Sequence, residues 1–397
     1  MLQAILGLGQ ICSWGTLYYS FPLIVTRMEL ELGWSKSDLY AGATIGLIMT
    51  ALFSYPVGMA IDRGWGKWVM AGASIAAMGV FGWWSVTDRL MSFYIICALS
   101  GVIQAALLYE PAFAVLARRV GASQSRAGIT HITLWGGFAS TVFIPITGYL
   151  ISLYDWRTTL LILGAVNVAY GVVYLLSIQP QMDVAHSQDP FQRQADASRD
   201  KQVVRENLRS GLFWLVLISL TVYAGVFSAF TFHMYPLLQE NGLSEKDVVL
   251  AIAVIGPAQV LGRILITVFA RSASVRLIGS VLVAVFPLVF AVLIPTNPSF
   301  WLVATVFAVY GLTNGIFTIV RGFVVPEMLS PHAYGALNGI ITIAATVARA
   351  ITPLIAALIW SIDQSYQLVM IAICVASLFL TASFWMAAWR SRQRSLA

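Results

Sequence analysis

Glu31-Leu32-Gly33-Trp34-Ser35-Lys36-Ser37-Asp38-Leu39 returns 209 residues later as Glu240-Asn241-Gly242-Leu243-Ser244-Glu245-Lys246-Asp247-Val248. The echo extends outward. Upstream, Phe21-Pro22-Leu23 answers Tyr235-Pro236-Leu237, and downstream Gly46 pairs with Gly256 and Gly101 with Gly311, both at an offset of 210. A self-similarity at half the chain length is the mark of an internal duplication.

Each copy is embedded in long apolar runs. A helix needs about 20 apolar residues to cross a bilayer. Twelve runs of that order are present, at about 3–26, 39–61, 68–87, 91–117, 127–152, 158–178, 211–238, 248–270, 276–295, 299–323, 335–360 and 367–389. They are too long for the short alternating strands of a barrel. The first has no basic segment before it and is too long for a signal peptide, so it is expected to stay in the mature chain. Between the sixth and seventh runs, residues 179–210 carry ten charges and almost no apolar pattern, which predicts a solvated linker. The expected organisation is an all-α membrane protein: twelve transmembrane helices in two parallel six-helix repeats, 1–178 and 211–397, joined by a cytoplasmic linker at 179–210.

Composition agrees with a lipid environment. Of 397 residues 59% are hydrophobic and only 10% charged, against roughly 25% charged in a soluble domain. So few charges cannot cover a soluble protein, a disordered scaffold or a disulfide-stapled secreted domain. The net charge of +6 and pI near 9.3 resemble a nucleic-acid signal until the charges are placed along the chain. With both termini cytoplasmic, outside loops hold only Arg27, Lys36, Arg89, Arg157 and Lys246. Arg263, Arg321 and Arg349 lie in helices, and the other basic residues, Arg390, Arg392 and Arg394 among them, fall inside. This is a strong positive-inside bias, and it accounts for the pI with no nucleic acid as partner. Cys12, Cys97 and Cys374 sit singly in apolar runs and read as small packing residues, neither a disulfide framework nor a metal site.

Twelve spans, parallel six-helix halves and a charged central loop resemble the major facilitator superfamily of secondary transporters, over essentially the whole chain. Gly58-Met59-Ala60-Ile61-Asp62-Arg63 followed by Gly66-Lys67 looks like that family's G-x-x-x-D-R-x-G-R/K loop between helices 2 and 3, with one extra residue before the Gly-Lys pair. The equivalent second-half loop, Phe269-Ala270-Arg271-Ser272, has lost both Gly and Asp. Trp14-Gly15 and Tyr19-Ser20-Phe21-Pro22 look like the monocarboxylate and oxalate/formate transporter group. That resemblance implies an Arg in helix 8, where Gly262-Arg263 stands, and the oxalate branch implies a cation on helix 11, where Arg349 stands. Two positions depart from the pattern: Leu23 replaces a Lys that follows Phe-Pro, and Gln259 replaces an Asp one turn before the helix 8 Arg.

An ionised side chain near the bilayer centre costs about 2.5–3.5 kcal/mol on insertion scales, so those that persist are paired, wet or functional. Arg263 and Arg349, each roughly 15 residues into a run, are expected near mid-membrane, where a guanidinium binds carboxylates through charge-assisted hydrogen bonds. The plainer reading has them bonding helix carbonyls. Glu110, before Pro111 in the fourth run, is the one acid inside a span. It reads either as a proton-coupling carboxyl or as half of a Glu110–Arg321 gate, since helices 4 and 10 face each other in the family. Tyr18, Tyr19, Trp135, Tyr223, Phe230, His233, Tyr310 and Asn314 are candidates to line a cavity, with Tyr18, Tyr19, Tyr310 and Asn314 taken as substrate-binding; core packing competes for each. His131 and His233 read first as satisfied polar contacts. Asp62 with Arg63 reads as a conformational latch.

No G-x-S-x-G, H-E-x-x-H or Walker A motif is present, and Gly7-Leu8-Gly9 lacks the rest of a dinucleotide loop. The expectation is therefore no enzyme and no cofactor, but a monomeric multi-pass protein of the inner (cytoplasmic) membrane. It is expected to move a small organic anion, a mono- or dicarboxylate, by alternating access, as a symporter or antiporter coupled to protons or a counter-substrate. Proton-coupled efflux of drugs or other amphipathic compounds is the alternative. A non-transporting membrane sensor is a third reading.

Overall fold

The computed structural model describes residues 2–120, 122–179, 202–269, 274–295, 297–330 and 334–394, and among them every regular element is helical. Most of the expected linker, 180–201, and Ala270, Arg271 and Ser272 of the second-half loop lie outside the described residues. In chain order the helices are α1 (Leu2–Trp14), α2 (Phe21–Leu32), α3 (Lys36–Ala60), α4 (Gly66–Ser85), α5 (Leu90–Leu107), α6 (Tyr109–Val120), α7 (Ala122–Gly136), α8 (Ala139–Leu153) and α9 (Trp156–Ser177). There follow α10 (Gly211–Glu240), α11 (Glu245–Ala253), α12 (Ile255–Phe269), α13 (Val275–Val292), α14 (Phe300–Val324), α15 (Tyr334–Asp363) and α16 (Tyr366–Arg394).

The nine-residue repeat folds twice into the same turn. Gly33 ends α2 at φ 67° and Gly242 follows α10 at φ 85°, the left-handed region that a side chain would strain. Two residues on, Ser35 and Ser244 cap the next helices. Each hydroxyl accepts from the backbone N–H of Asp38 or Asp247, at 3.1 and 3.2 Å, and donates to that residue's carboxylate at 2.7 Å.

Ten helical stretches among the described residues are long and apolar enough to cross a membrane. One of them, Lys36–Ser85, takes in both the second and third apolar runs through the π-helical turn Ile61–Trp65. The first run is shared among α1, the π-helical turn Gly15–Tyr19 and α2. The eighth is interrupted at Val254, between α11 and α12.

The chain forms two compact units. One contains the described residues of Met1–His186 with Phe232–Pro257, and the other those of Ser187–Thr231 with Ala258–Ala397. The last turns of α10 and all of α11 thus group with the first unit. Within it, one Arg27 guanidinium nitrogen reaches both Glu245 carboxylate oxygens at 2.6 and 2.7 Å, and Tyr40 stacks on His233 with ring centroids 4.0 Å apart.

Five prolines in or beside these helices share one consequence. Proline has no N–H, so the carbonyl four residues earlier loses its helical donor. For Pro111 that carbonyl is Leu107, which accepts from the Gln10 amide at 2.9 Å. For Pro236 it is Phe232, which accepts from the Tyr40 hydroxyl at 2.8 Å. Ala253, orphaned by Pro257, accepts from Thr141 at 3.0 Å, and Val283, orphaned by Pro287, accepts from Thr381 at 2.7 Å. Arg349, four residues before Pro353, accepts from Ser228 at 2.7 Å. In every case the donor comes from a different helix, so each proline turns a lost bond within a helix into a bond between helices.

Candidate functional site

In the second unit, glycines set how closely the helices approach. A Cβ on Gly315 of α14 would fall 2.2 Å from the Gln259 carbonyl oxygen of α12, and one on Gly262 would fall 2.5 Å from the Leu312 oxygen. Backbones this close leave no room for side chains at the crossing, so the flanking residues Arg263 and Asn314 are carried to its edges. Arg263 is 7% exposed and Asn314 4%. Asn314 accepts a 2.6 Å hydrogen bond from the hydroxyl of Tyr223 on α10. Ser228, on the same helix as Tyr223, holds the Arg349 carbonyl, and Thr352 one turn further donates to the Gly225 oxygen at 2.9 Å. These two bonds dock α15 on α10, which fixes the base of the Arg349 side chain. The Arg349 Nε is buried without a hydrogen-bond partner.

The structure thus sets Arg263 and Asn314 on the two helices of the close crossing, Tyr223 bonded to Asn314, and Arg349 on the helix docked against α10. Arg321 is exposed. Tyr310 lies one turn before Asn314 on α14, and its ring packs among Phe230, Phe286 and Phe290 with centroids 4.9 to 6.1 Å away. Gln259, at the position where the resemblance implies an acid, is a buried amide.

The remaining candidates belong to the first unit. Tyr18 is 2% exposed, edge-on to Trp14, Tyr19 and Phe232 at 4.9 to 5.4 Å. Tyr19 is half-buried. Leu23, in place of the family's Lys, is a core residue. Glu110 lies inside Leu90–Val120, a helical stretch long and apolar enough to cross a membrane, and within it stands exposed in the first turn of a new helix. The cause is the break at Leu108, whose extended backbone (φ −73°, ψ −157°) separates α5 from α6, so Glu110 sits at a helix N-terminus where a carboxylate is favoured. Asp62 and Arg63 are both exposed, and the Asp62 carbonyl accepts from the Arg118 guanidinium. The extra residue of their loop is taken up by the wide turn Ile61–Trp65, which Gly64 permits at φ 90°. Trp135 is also exposed, and His131, likewise exposed, lies 3.1 Å from the Gln3 amide oxygen.

Ser228 escaped the sequence reading because an isolated Ser in an apolar run carries no signal of its own. The proline four residues beyond Arg349 is the signal that an orphan carbonyl there needs a donor. Gln104 was missed as well. It stands 210 residues before Asn314 and, like it, ties its helix to the first helix region of its half, through Leu17 O at 3.0 Å.

The family profile of the Major Facilitator Superfamily matches residues 6–353. The chain belongs to the major facilitator superfamily. The transporter is 26% identical over 343 residues to "Monocarboxylate transporter 13" of Bos taurus, covering 82% of its own length and 73% of the relative's. Among solved structures it is similar to the nucleoside transporter NupG, with a TM-score of 0.74 and 14% identity over 98% of each chain. It is also similar to a bacterial homologue of the human lysosomal transporter Spinster, with a TM-score of 0.67 and 14% identity, covering 99% of this chain and 95% of that one. These structural likenesses concern the fold. The family and these relatives are membrane transporters, which makes this a multi-pass membrane protein whose substrate is a small molecule.

Proposed function

We propose that the transporter moves a small organic anion, a mono- or dicarboxylate, by alternating access between two six-helix bundles, 1–178 and 211–397. Twelve spans, a cytoplasmic linker at 179–210, cytoplasmic termini and a cytoplasmic-membrane location complete this reading. The observation that carries it is the buried guanidinium-bearing Arg263 at the close α12–α14 crossing, whose Asn314 is bonded to Tyr223 on the helix that also anchors Arg349. Guanidiniums in a poorly solvated site bind a carboxylate through charge-assisted bonds, and Tyr and Asn add neutral contacts that fix its orientation. The monocarboxylate transporter among its relatives supports the same substrate class.

Tyr18, Tyr19 and Tyr310 are assigned to substrate contact, Glu110 and Arg321 to the proton or gate step, and Asp62 with Arg63 to a latch in their loop. A proton or a counter-substrate supplies the gradient, and the monomer is the working unit. Replacing Arg263 with Ala is expected to abolish uptake of radiolabelled carboxylates into proteoliposomes while the purified variant keeps its size-exclusion profile. Uptake at the wild-type rate would exclude the anion site.

A further inference from the structure

The turn Ile61–Trp65 joins two helices that are each as long as a bilayer is thick. At 1.5 Å per residue, the 25 residues of α3 rise about 37 Å and the 20 of α4 about 30 Å, against a hydrocarbon core of roughly 30 Å. The turn therefore stands at a membrane–water boundary, on the side assigned above to the cytoplasm. Tryptophans mark the two levels. Trp65 and Trp68 are 61% and 65% exposed beside the turn, and the exposed Trp83 lies 15 residues beyond Trp68, about 22 Å along the axis. Exposed indoles at that separation are the two aromatic belts of a spanning helix.

Cations gather at the same level. Arg63 is exposed in the turn, and the Lys67 ammonium lies over the exposed Trp68 ring, 5.5 Å from its centroid. Arg118, from α6, donates to the Asp62 carbonyl, and one of its nitrogens lies 3.6 Å from where a Cβ on Gly64 would stand, so it is laid against the turn. Asp62 is the one acid among residues 58–70. Cations in excess at this depth complement a phosphodiester, which accepts charge-assisted hydrogen bonds from both guanidinium and ammonium. In a zwitterionic lipid the headgroup's own cation offsets that phosphate and is repelled by the excess here. A free phosphate would leave the two exposed indoles uncovered. We propose that this turn binds an anionic phospholipid, its phosphate at Arg63 and Lys67 and the roots of its acyl chains against Trp65 and Trp68. The proposal is independent of the carboxylate site and stands or falls without it.

The test is native mass spectrometry of the purified full-length protein in detergent, titrated with phosphatidylglycerol, with phosphatidylcholine of the same acyl chains, and with glycerol 3-phosphate. Phosphatidylglycerol is expected to bind tighter than phosphatidylcholine by on the order of tenfold. R63Q/K67Q should remove that preference, and the charge-retaining R63K/K67R should keep most of it. W65A/W68A should weaken both lipids and leave their ratio as it is. R390Q/R392Q, which removes as much charge from the far end of the chain, should leave phosphatidylglycerol binding unchanged. Equal binding of the two lipids to the wild type, or a preference that survives R63Q/K67Q, overturns the proposal. So does an equal loss in R390Q/R392Q, which would reveal a general attraction to basic surface. Displacement of the lipid by an equal concentration of glycerol 3-phosphate would overturn it in favour of a free-phosphate site. Size-exclusion profiles and melting curves separate loss of fold from loss of binding, and R63K/K67R with W65A/W68A carries the test if R63Q/K67Q fails to fold.

Discussion

Glu31 shows how much one carboxylate can organise at a loop. Its Oε2 accepts from the Trp156 indole at 2.6 Å, and its Oε1 accepts from two nitrogens of Arg157 at 2.9 and 3.3 Å. The Arg157 hydrogen bond, and after it the Trp156 bond, hold the Glu31 carboxyl below the usual carboxylate range. Asp155, capping α9 through the Thr158 backbone N–H, is held low by that bond. A carboxyl whose pKa is lower in the folded state stabilises the fold above its unfolded value, about 4.3 for Glu, and that stability is lost as pH falls through the folded value. Glu31→Gln should therefore melt below the wild type at pH 7, by a degree or so for an exposed pair worth about 1 kcal/mol or less. The gap should close as the pH is lowered past the ordinary carboxylate range. A gap that persists at the acid end would show that packing, not charge, is what the substitution removed. At this scale the sequence discloses charge well, because Arg263, Arg321 and Arg349 stand out in apolar runs. It discloses neutral partners poorly: nothing in the sequence marks Tyr223, a core tyrosine, as the partner of Asn314.

Among the elements, the proline-orphaned carbonyls carry the clearest testable claim. If Thr381 is there to satisfy Val283 because Pro287 cannot, the two residues must be coupled. Thr381→Val should destabilise the protein by about 1 kcal/mol by leaving a buried carbonyl unpaired. Pro287→Ala restores the N–H that Val283 lacks, so in that background the same threonine change should cost little. A double-mutant cycle by thermal or denaturant unfolding in detergent measures the difference. Additive effects would mean that Thr381 acts on its own, through its second bond to Ser377 O. The sequence shows which carbonyls are orphaned, by counting four back from each proline. It does not show who answers, because Gln10, Tyr40, Thr141, Ser228 and Thr381 come from other helices and only three-dimensional packing selects them. The same limit applies to the break at Leu108: hydropathy runs smoothly across it, while the backbone turns extended there.

For the whole molecule, the duplication was the most legible feature, since an offset of 209 to 210 residues needs no knowledge of packing. The structure adds which of the repeated residues matter. Within the nine-residue stretch, the two copies share Glu, Gly, Ser and Asp. Gly33 and Gly242 turn the chain, and Ser35–Asp38 and Ser244–Asp247 start the next helix. The remaining positions differ, and they hold different partners. Lys36 pairs with Glu29 at 3.0 Å, whereas Glu245, its counterpart, pairs with Arg27. The turn thus behaves as an interchangeable part, with a fixed chassis and free fittings. A chimaera in which residues 31–39 take the sequence of 240–248 is expected to insert and purify as a single species while losing the Lys36–Glu29 pair. Aggregation would mean that the varied positions also specify the turn. Because the backbone instruction occupies so few positions, each copy has been free to drift in charge without unmaking its bend, and one ancestral corner has become two electrostatically distinct ones.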